Sequence, residues 1–121
     1  MENIISLASG DDVLDLVKAT NDRLVIVAPY IKSNTLRKLI DVVPETVSEC
    51  ICVTRWRPED IAAGVCDIEI YDDLSAVQGG QLLLDPLLHA KYYSNGQKKL
   101  MGSANLTARG LGWHKLSLIH I

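Results

Sequence analysis

Apolar and polar positions in the first third of the chain alternate first with helical and then with strand-like spacing. Asp11 or Asp12 can cap a helix whose apolar residues, at positions 13, 14, 16 and 17, share one side. The apolar run 23–30 is typical of a buried strand. Ser33 or Asn34 can cap a second amphipathic helix. The pattern therefore predicts a helix, a strand and a second helix in succession.

The alternation of helix and strand signals continues as far as residue 80. Pro58 suits the first turn of a short helix. The expected elements are a strand at 47–54, a helix at 59–65, a strand at 67–71 and a helix at 72–77. Repeated strand–helix–strand units favour a mostly parallel sheet with helices on its faces.

Beyond that point, strand signals follow each other without a helix between them. Strands are expected at 81–84, 87–93 and 98–101, the last two joined by a tight hairpin at Asn95-Gly96. This end of the sheet is therefore expected to be antiparallel. The fold class is α/β, with a mixed, mostly parallel sheet flanked by helices. No linker or repeat divides the chain, so we expect one domain over residues 1–121.

Composition adds the broad class of protein. The 121 residues are 48% hydrophobic and 22% charged, which is typical of a soluble globular domain. No apolar run approaches the roughly 20 residues of a membrane helix, and the N-terminus has no signal-peptide pattern, so we expect a cytoplasmic protein without a membrane partner. Cys50 and Cys52 would share one strand face, too strained for an ordinary disulfide, so they and Cys66 are expected to be reduced thiols. No zinc-ligand spacing is present.

Charge divides the chain into two unequal parts. The net charge is −3, but residues 1–85 carry −8 and residues 86–121 carry +5. The five basic residues of the second part are Lys91, Lys98, Lys99, Arg109 and Lys115. A basic segment in an acidic protein suggests a local anion site, although a solvated surface is the alternative explanation.

The basic part contains a group of residues suited to phosphate chemistry. In a strand, His89 and Lys91 would project from the same face, and the hairpin would bring Ser103 and Asn105 near them. A titratable nitrogen, a cation and two neutral polar side chains can together bind and attack a phosphate. Each residue alone has a structural alternative: His89 as a core histidine, Lys91 as an edge-strand charge, and Ser103 as a helix cap.

These residues carry a family resemblance. The segments Leu-His89-Ala-Lys91-Tyr-Tyr and Gly102-Ser103-Ala-Asn105-Leu-Thr resemble the HKD motif of the phospholipase D superfamily. The resemblance implies a phospholipase D-like fold, with His89 as a nucleophile that forms a phosphohistidine and Lys91, Ser103 and Asn105 as ligands of the phosphate oxygens. It implies no metal and no cofactor. Because that chemistry needs two histidines and the chain has one motif, it also implies a homodimer.

Two features differ from the family pattern. The motif's Asp falls on Gly96 here, and the family fold usually continues well past Gly-Ser-x-Asn. An acidic partner for His89 would have to lie upstream, for example Asp85, and the short ending is consistent with a piece of a larger protein with additional domains.

A nuclease is the favoured function, an endonuclease acting on nucleic acid and on DNA in particular. The size of the chain and its basic second part favour a polyanionic substrate, contacted by Gly102, Lys98, Lys99, Arg109 and Arg55. The first alternative is a binding or dimerisation module that has kept the phosphate pocket and lost turnover. The second alternative is a phospholipid-processing enzyme.

Overall fold

The computed structural model describes the backbone of residues 3–5 and all of residues 10–101. Its helices are α1 (Gly10–Lys18), α2 (Ser33–Ile40), α3 (Pro58–Ala62) and α4 (Ile70–Ser75). Its strands are β1 (Asn3–Ile5), β2 (Arg23–Val27), β3 (Glu49–Thr54), β4 (Gly80–Leu84), β5 (Tyr92–Ser94) and β6 (Lys98–Met101). No helix in this described part is long and apolar enough to cross a membrane.

The strands form one mixed sheet in the order β1-β6-β5-β2-β3-β4. The pairs β1–β6, β2–β3 and β3–β4 are parallel, whereas β5 runs antiparallel to both of its neighbours, β2 and β6. Five strands therefore share one direction and one opposes them. The strand expected at 81–84 was placed in the antiparallel end, but as β4 it pairs in parallel with β3. The predicted α/β class with a mostly parallel, mixed sheet flanked by helices is confirmed.

The core lies between one face of this sheet and three of the helices. Val13, Leu16 and Val17 of α1 recur at helical spacing and are buried, as the sequence pattern predicts. They share a single cluster with Leu24 and Ile26 of β2, with residues of α2 and α4, and with the inward positions of β3, β5 and β6. Each fully buried aliphatic side chain of this kind contributes about 1.5–3 kcal/mol relative to exposure.

The cysteines lie in or beside this core as free thiols. Cys50 and Cys52 are buried on the same face of β3, and Cys66 is buried in the loop between α3 and α4. Burial raises the pKa of Cys50 and of Cys66 to about 11 and that of Cys52 well above its ordinary value. Because the thiolate is the reactive form, these thiols are inert near neutral pH.

The predicted strand at 67–71 is wrong, because this part of the chain enters helix α4. Ile70 and Leu74 are both buried and are separated by one helical turn, whereas Ile68 is exposed. Alternating apolar residues at 68 and 70 imitate a strand, but only the helical spacing lets the chain bury Ile70 and Leu74 together against the sheet.

The predicted strand at 87–93 is shortened to Tyr92–Ser94. The backbone N–H of Leu88 donates to the carbonyl of Asp85 at 3.1 Å, and the N–H of Leu87 donates to the Asp85 carboxylate at 3.0 Å. Pro86, between them, has no N–H for a strand ladder. A turn therefore competes successfully with strand pairing over the first part of this segment.

The predicted cap of α2 is also wrong. Lys32 occupies the N-cap position and provides no side-chain cap. Instead, a carboxylate oxygen of Asp67, on the loop between α3 and α4, accepts the backbone N–H of Ser33 at 2.8 Å. The other oxygen accepts the Lys32 ammonium at 2.8 Å. A residue distant in sequence thus does what Ser33 or Asn34 was expected to do.

The predicted hairpin between β5 and β6 is confirmed. Gly96 has a φ of +87°, in the left-handed region that glycine adopts without strain. The side-chain oxygen of Asn95 accepts the N–H groups of Gln97 and Lys98, and its amide nitrogen donates to the carbonyl of Leu16. Asn95 therefore both shapes the turn and fastens it to α1.

Candidate active site

Several segments that carry predicted site residues meet at one edge of the sheet. Strands β2, β3, β4 and β6 end there and β5 begins there, because β5 alone runs in the opposite direction. We call this the carboxyl edge. It is formed by the segments 28–32, 55–57 and 85–91 and by the end of β6. The crevice beyond the carboxyl ends of parallel strands is where open α/β sheets bind ligands.

His89 and Lys91 lie at the carboxyl edge in irregular chain just before β5. The expectation that they share a strand face is wrong for this reason, although both remain next to the strand. His89 is exposed and Lys91 is half-buried. Buried Leu88 anchors the segment from within, and Arg57 Nε donates to the carbonyl of Pro86 at 2.8 Å. The predicted nucleophile is therefore accessible from solvent.

The second half of the motif follows β6 directly in sequence. Tyr92 lies opposite Met101 in the antiparallel β5–β6 ladder, so β6 ends beside the beginning of β5. Gly102, Ser103, Asn105 and Arg109 lie outside the described residues. Their expected roles at the phosphate stay predictions.

Arg55 lies at the carboxyl edge, as a substrate-binding residue should, but it is buried and paired. Its Nε donates to one oxygen of Asp60 at 3.0 Å, and its Nη2 donates to the other at 3.2 Å. Hydrogen bonding from Arg55 holds the pKa of Asp60 below its ordinary value. A direct role of Arg55 at the substrate stays a prediction, since within residues 10–101 only its Nη1 makes no hydrogen bond.

Tyr30, which the sequence analysis did not single out, is part of the same network. Arg55 Nη2 donates to its hydroxyl at 2.7 Å, and Arg55 Cζ lies 5.0 Å from the centre of its ring. The preceding residue is held as well, because the hydroxyl of Thr54 donates to the carbonyl of Pro29 at 3.1 Å. The one signal in the sequence is its position directly after a buried central strand.

Trp56, between Arg55 and Arg57, has a strained backbone. Its φ is +41°, which side chains other than glycine rarely adopt. Its indole N–H is buried and has no hydrogen-bond partner among the described residues, while its ring packs against the core. Arg55, before it, turns inward to Asp60, and Arg57, after it, reaches the 85–91 segment. Backbone strain of this kind is common at functional sites.

Two of the predicted substrate contacts, Lys98 and Lys99, lie on β6. Lys98 is the first residue of β6 and so lies at the opposite end of that strand from the carboxyl edge. The ammonium of Lys99 lies 5.6 Å from the centre of the Tyr92 ring, on the face of the sheet opposite the helices. Lys98 therefore lies away from the carboxyl edge, and a substrate contact of Lys99 stays a prediction.

The other end of the sheet holds a groove of about 540 Å³ between the ends of α2 and α4. Its lining residues are Ile40, Val43, Pro44, Glu45, Val47, Ala76, Val77 and Gln78. It lies away from the carboxyl edge and contains none of the predicted site residues. In residues 10–101, no group of three or more His, Cys, Asp or Glu side chains is arranged to hold a metal ion.

No protein-family model matches the sequence, and neither a curated protein nor a solved structure matches it. The case for a function therefore depends on the residues of this chain and on where the sheet brings them.

Proposed function

We propose that the chain is a metal-independent phosphodiesterase of the phospholipase D type, with nucleic acid, and DNA in particular, as its substrate. The observation that carries the proposal is the register of the β5–β6 hairpin. Since Tyr92 lies opposite Met101, the segment with His89 and Lys91 joins the sheet beside the point from which the chain continues to Gly102. The first half of the motif therefore lies beside Met101, the residue that precedes the second half in sequence.

The proposed reaction has two displacement steps. A ring nitrogen of His89 attacks the phosphorus and the bond to the leaving oxygen breaks, which forms a phosphohistidine. Lys91 neutralises charge that develops on a non-bridging oxygen. The histidine of a second copy donates a proton to the leaving oxygen, then takes one from the water that breaks the phosphorus–nitrogen bond. The exposure of His89 supports this role, because a polymeric substrate needs open access.

The same proposal includes a homodimer that pairs the carboxyl edges of two copies. Leu87, two residues before His89, is 77% exposed, and Met101, at the end of β6, is 40% exposed. Exposed apolar side chains beside a site that needs a second histidine favour an isologous contact there. Light scattering on the purified chain should give twice the monomer mass. Leu87→Asp should lower it, whereas Ile68→Asp, at an exposed apolar position in the loop between α3 and α4, should not.

The charge distribution supports a polyanionic substrate. The chain from residue 86 onward has a net charge of +5 and includes His89 and Lys91, whereas the rest is acidic. Lysines and arginines that neutralise phosphates give salt-dependent affinity for nucleic acid. We therefore expect DNA binding to weaken steeply as the salt concentration rises.

Cleavage of labelled single- and double-stranded DNA in excess EDTA tests the proposed reaction. Wild-type protein should cut, His89→Ala should be slower by at least about a thousand-fold, and Lys91→Ala by about a hundred-fold. His114→Ala, a histidine outside the motif, is the matched control and should cut normally. Loss of cutting in EDTA, or cutting that survives His89→Ala, would overturn the proposal. Preferential hydrolysis of phospholipid vesicles would assign a lipid substrate instead.

One observation favours a second candidate function, a phosphate-binding or dimerisation module without turnover. The position of the motif's Asp is Gly96, which is the left-handed residue of the β5–β6 turn. The turn geometry therefore selects glycine where the motif has a carboxylate. DNA binding by both wild type and His89→Ala, with cutting by neither, would support this candidate.

A further inference from the structure

The hydroxyl of Tyr30 has a proton that the described structure leaves unused. Arg55 Nη2 donates to this hydroxyl at 2.7 Å. An arginine nitrogen can only donate, so the hydroxyl acts as the acceptor in that bond and must direct its own proton elsewhere. Within residues 10–101, the bond from Arg55 is the only hydrogen bond of this hydroxyl. Tyr30 is therefore prepared to donate to a ligand.

Several contacts hold the Tyr30 side chain in place. The guanidinium beneath it is fixed by two hydrogen bonds to Asp60. The backbone on one side is held by the bond from Thr54 to Pro29, and the next residue, Ile31, is fully buried in the core. A donor held in this way loses little conformational entropy when it binds a ligand.

Tyr30 is also central in the carboxyl edge. It follows β2, the strand between β5 and β3, and the last residue of β2, Val27, is paired with Tyr92 on one side and with Val53 on the other. The segment with His89 and Lys91 ends at Tyr92, so it approaches the edge directly beside the Tyr30 loop. The ring is half-buried, which leaves part of it open to solvent.

We propose that Tyr30 is a substrate-binding residue whose hydroxyl donates a hydrogen bond to a non-bridging phosphate oxygen, and that Arg55 and Asp60 are positioning residues that act through it. The inference rests on the proposed phosphodiesterase function and extends it to a residue outside the motif. Because Asp60 balances the charge of Arg55, the pair adds little net attraction for an anion. Its contribution is the orientation of the hydroxyl.

The test compares Tyr30→Phe with Tyr71→Phe in the full chain. Tyr71 is 60% exposed on α4, so it offers the same loss of a hydroxyl away from the site. Inorganic phosphate is the binding probe, followed by ³¹P NMR line broadening. Tyr30→Phe should weaken phosphate binding by about ten- to a hundred-fold, as expected for a hydrogen bond to a charged group, and Tyr71→Phe should match wild type. Equal binding by all three proteins, or no binding by wild type, would overturn the inference.

Hydrolysis of bis(4-nitrophenyl) phosphate in EDTA separates this inference from the proposed function. If wild type binds phosphate through Tyr30 but does not hydrolyse the ester, the phosphodiesterase proposal fails and the role of Tyr30 stands. If hydrolysis depends on His89 but Tyr30→Phe equals wild type in both assays, the function stands and the role of Tyr30 fails.

In Tyr30→Phe, Arg55 also loses its hydrogen-bond acceptor, and this structural change by itself could weaken phosphate binding. A third variant controls for that effect. Replacing Tyr30 by 3-fluorotyrosine keeps the hydroxyl in place and makes it a stronger donor. At a pH where the phenol is protonated, phosphate affinity should rise above wild type. An unchanged or lower affinity would mean that the hydroxyl does not donate to the anion.

Discussion

The segments that follow β2 and β3 are held very differently from the segment that precedes β5, although all three meet at the carboxyl edge. Tyr30 and Arg55 take part in a network closed by the buried pair between Arg55 and Asp60. The 85–91 segment is held mainly by backbone bonds and by Arg57, and it leaves His89 exposed. The comparison indicates that the buried Arg55–Asp60 pair holds the segments after β2 and β3 in place, whereas the proposed nucleophile, His89, is exposed on a segment with fewer side-chain contacts.

Removing one charge of the buried Arg55–Asp60 pair should have the largest effect on stability. Asp60→Asn leaves the buried guanidinium of Arg55 without its counter-charge and should lower the free energy of unfolding by about 3–5 kcal/mol, measured by urea denaturation. Glu49→Gln is the matched control, because the Arg23–Glu49 pair is 3.9 Å long with side chains 59% and 44% exposed. It should change stability by less than about 0.5 kcal/mol. Equal effects of the two variants would contradict the proposed importance of the buried pair.

The same pair predicts the pH dependence of stability. Hydrogen bonding from Arg55 lowers the pKa of Asp60 below the ordinary 3.8, so the unfolded chain binds more protons than the folded chain in the window below that value. The stabilisation is complete above that window and is lost as the pH falls through the folded pKa. The difference in unfolding free energy between wild type and Asp60→Asn should therefore be constant near neutral pH and narrow below about pH 4. A difference that widens in acid would reverse the expected sign.

A smaller loss of stability is expected when the side chain that caps α2 is removed. Asp67→Ala removes the acceptor of the Ser33 N–H and the partner of Lys32. We expect a loss of about 1 kcal/mol, and Asp67→Asn should recover part of it, because an amide oxygen can still cap the helix. Thermal unfolding of both variants gives the comparison. If Asp67→Asn were no better than Asp67→Ala, the ion pair rather than the cap would be the stabilising contact.

The smallest effect on stability is expected at the 85–91 segment. Arg57→Ala removes the bond to the carbonyl of Pro86 and should cost less than about 0.5 kcal/mol, since Arg57 is partly exposed. Amide hydrogen exchange over residues 85–91 should nevertheless become faster, while exchange in β2 and β3 stays the same. Faster exchange throughout the sheet would show that Arg57 stabilises the whole sheet and not only the 85–91 segment.

Local sequence signals predicted much of the fold. Asn95-Gly96 specifies its hairpin within four residues, and the spacing of Val13, Leu16 and Val17 specifies one face of α1. The strand predicted at 67–71 failed because alternating apolar residues there serve helix α4, which only tertiary packing decides. Strand β1 was missed, since three residues carry too little pattern.

The same distinction between local and tertiary signals applies to the candidate site. The sequence indicated His89 and Lys91 as candidates through residue type, spacing and the resemblance that they carry. The hydrogen bond between Arg55 and Tyr30 could not be predicted, because it joins side chains 25 residues apart. The left-handed turn at Trp56 was not predicted either, since no local signal favours it for a tryptophan.

The contact between Asp67 and α2 also bears on the order in which the chain folds. Ser33 and Asp67 are 34 residues apart, so α2 has no side-chain cap until the loop between α3 and α4 has docked. An eight-residue helix is marginal in water without tertiary support. On a growing chain, α2 would therefore stay largely unformed until β3 and α3 had been synthesised. We therefore expect the β2–α2–β3 unit to become stable only together with the loop between α3 and α4 that caps α2.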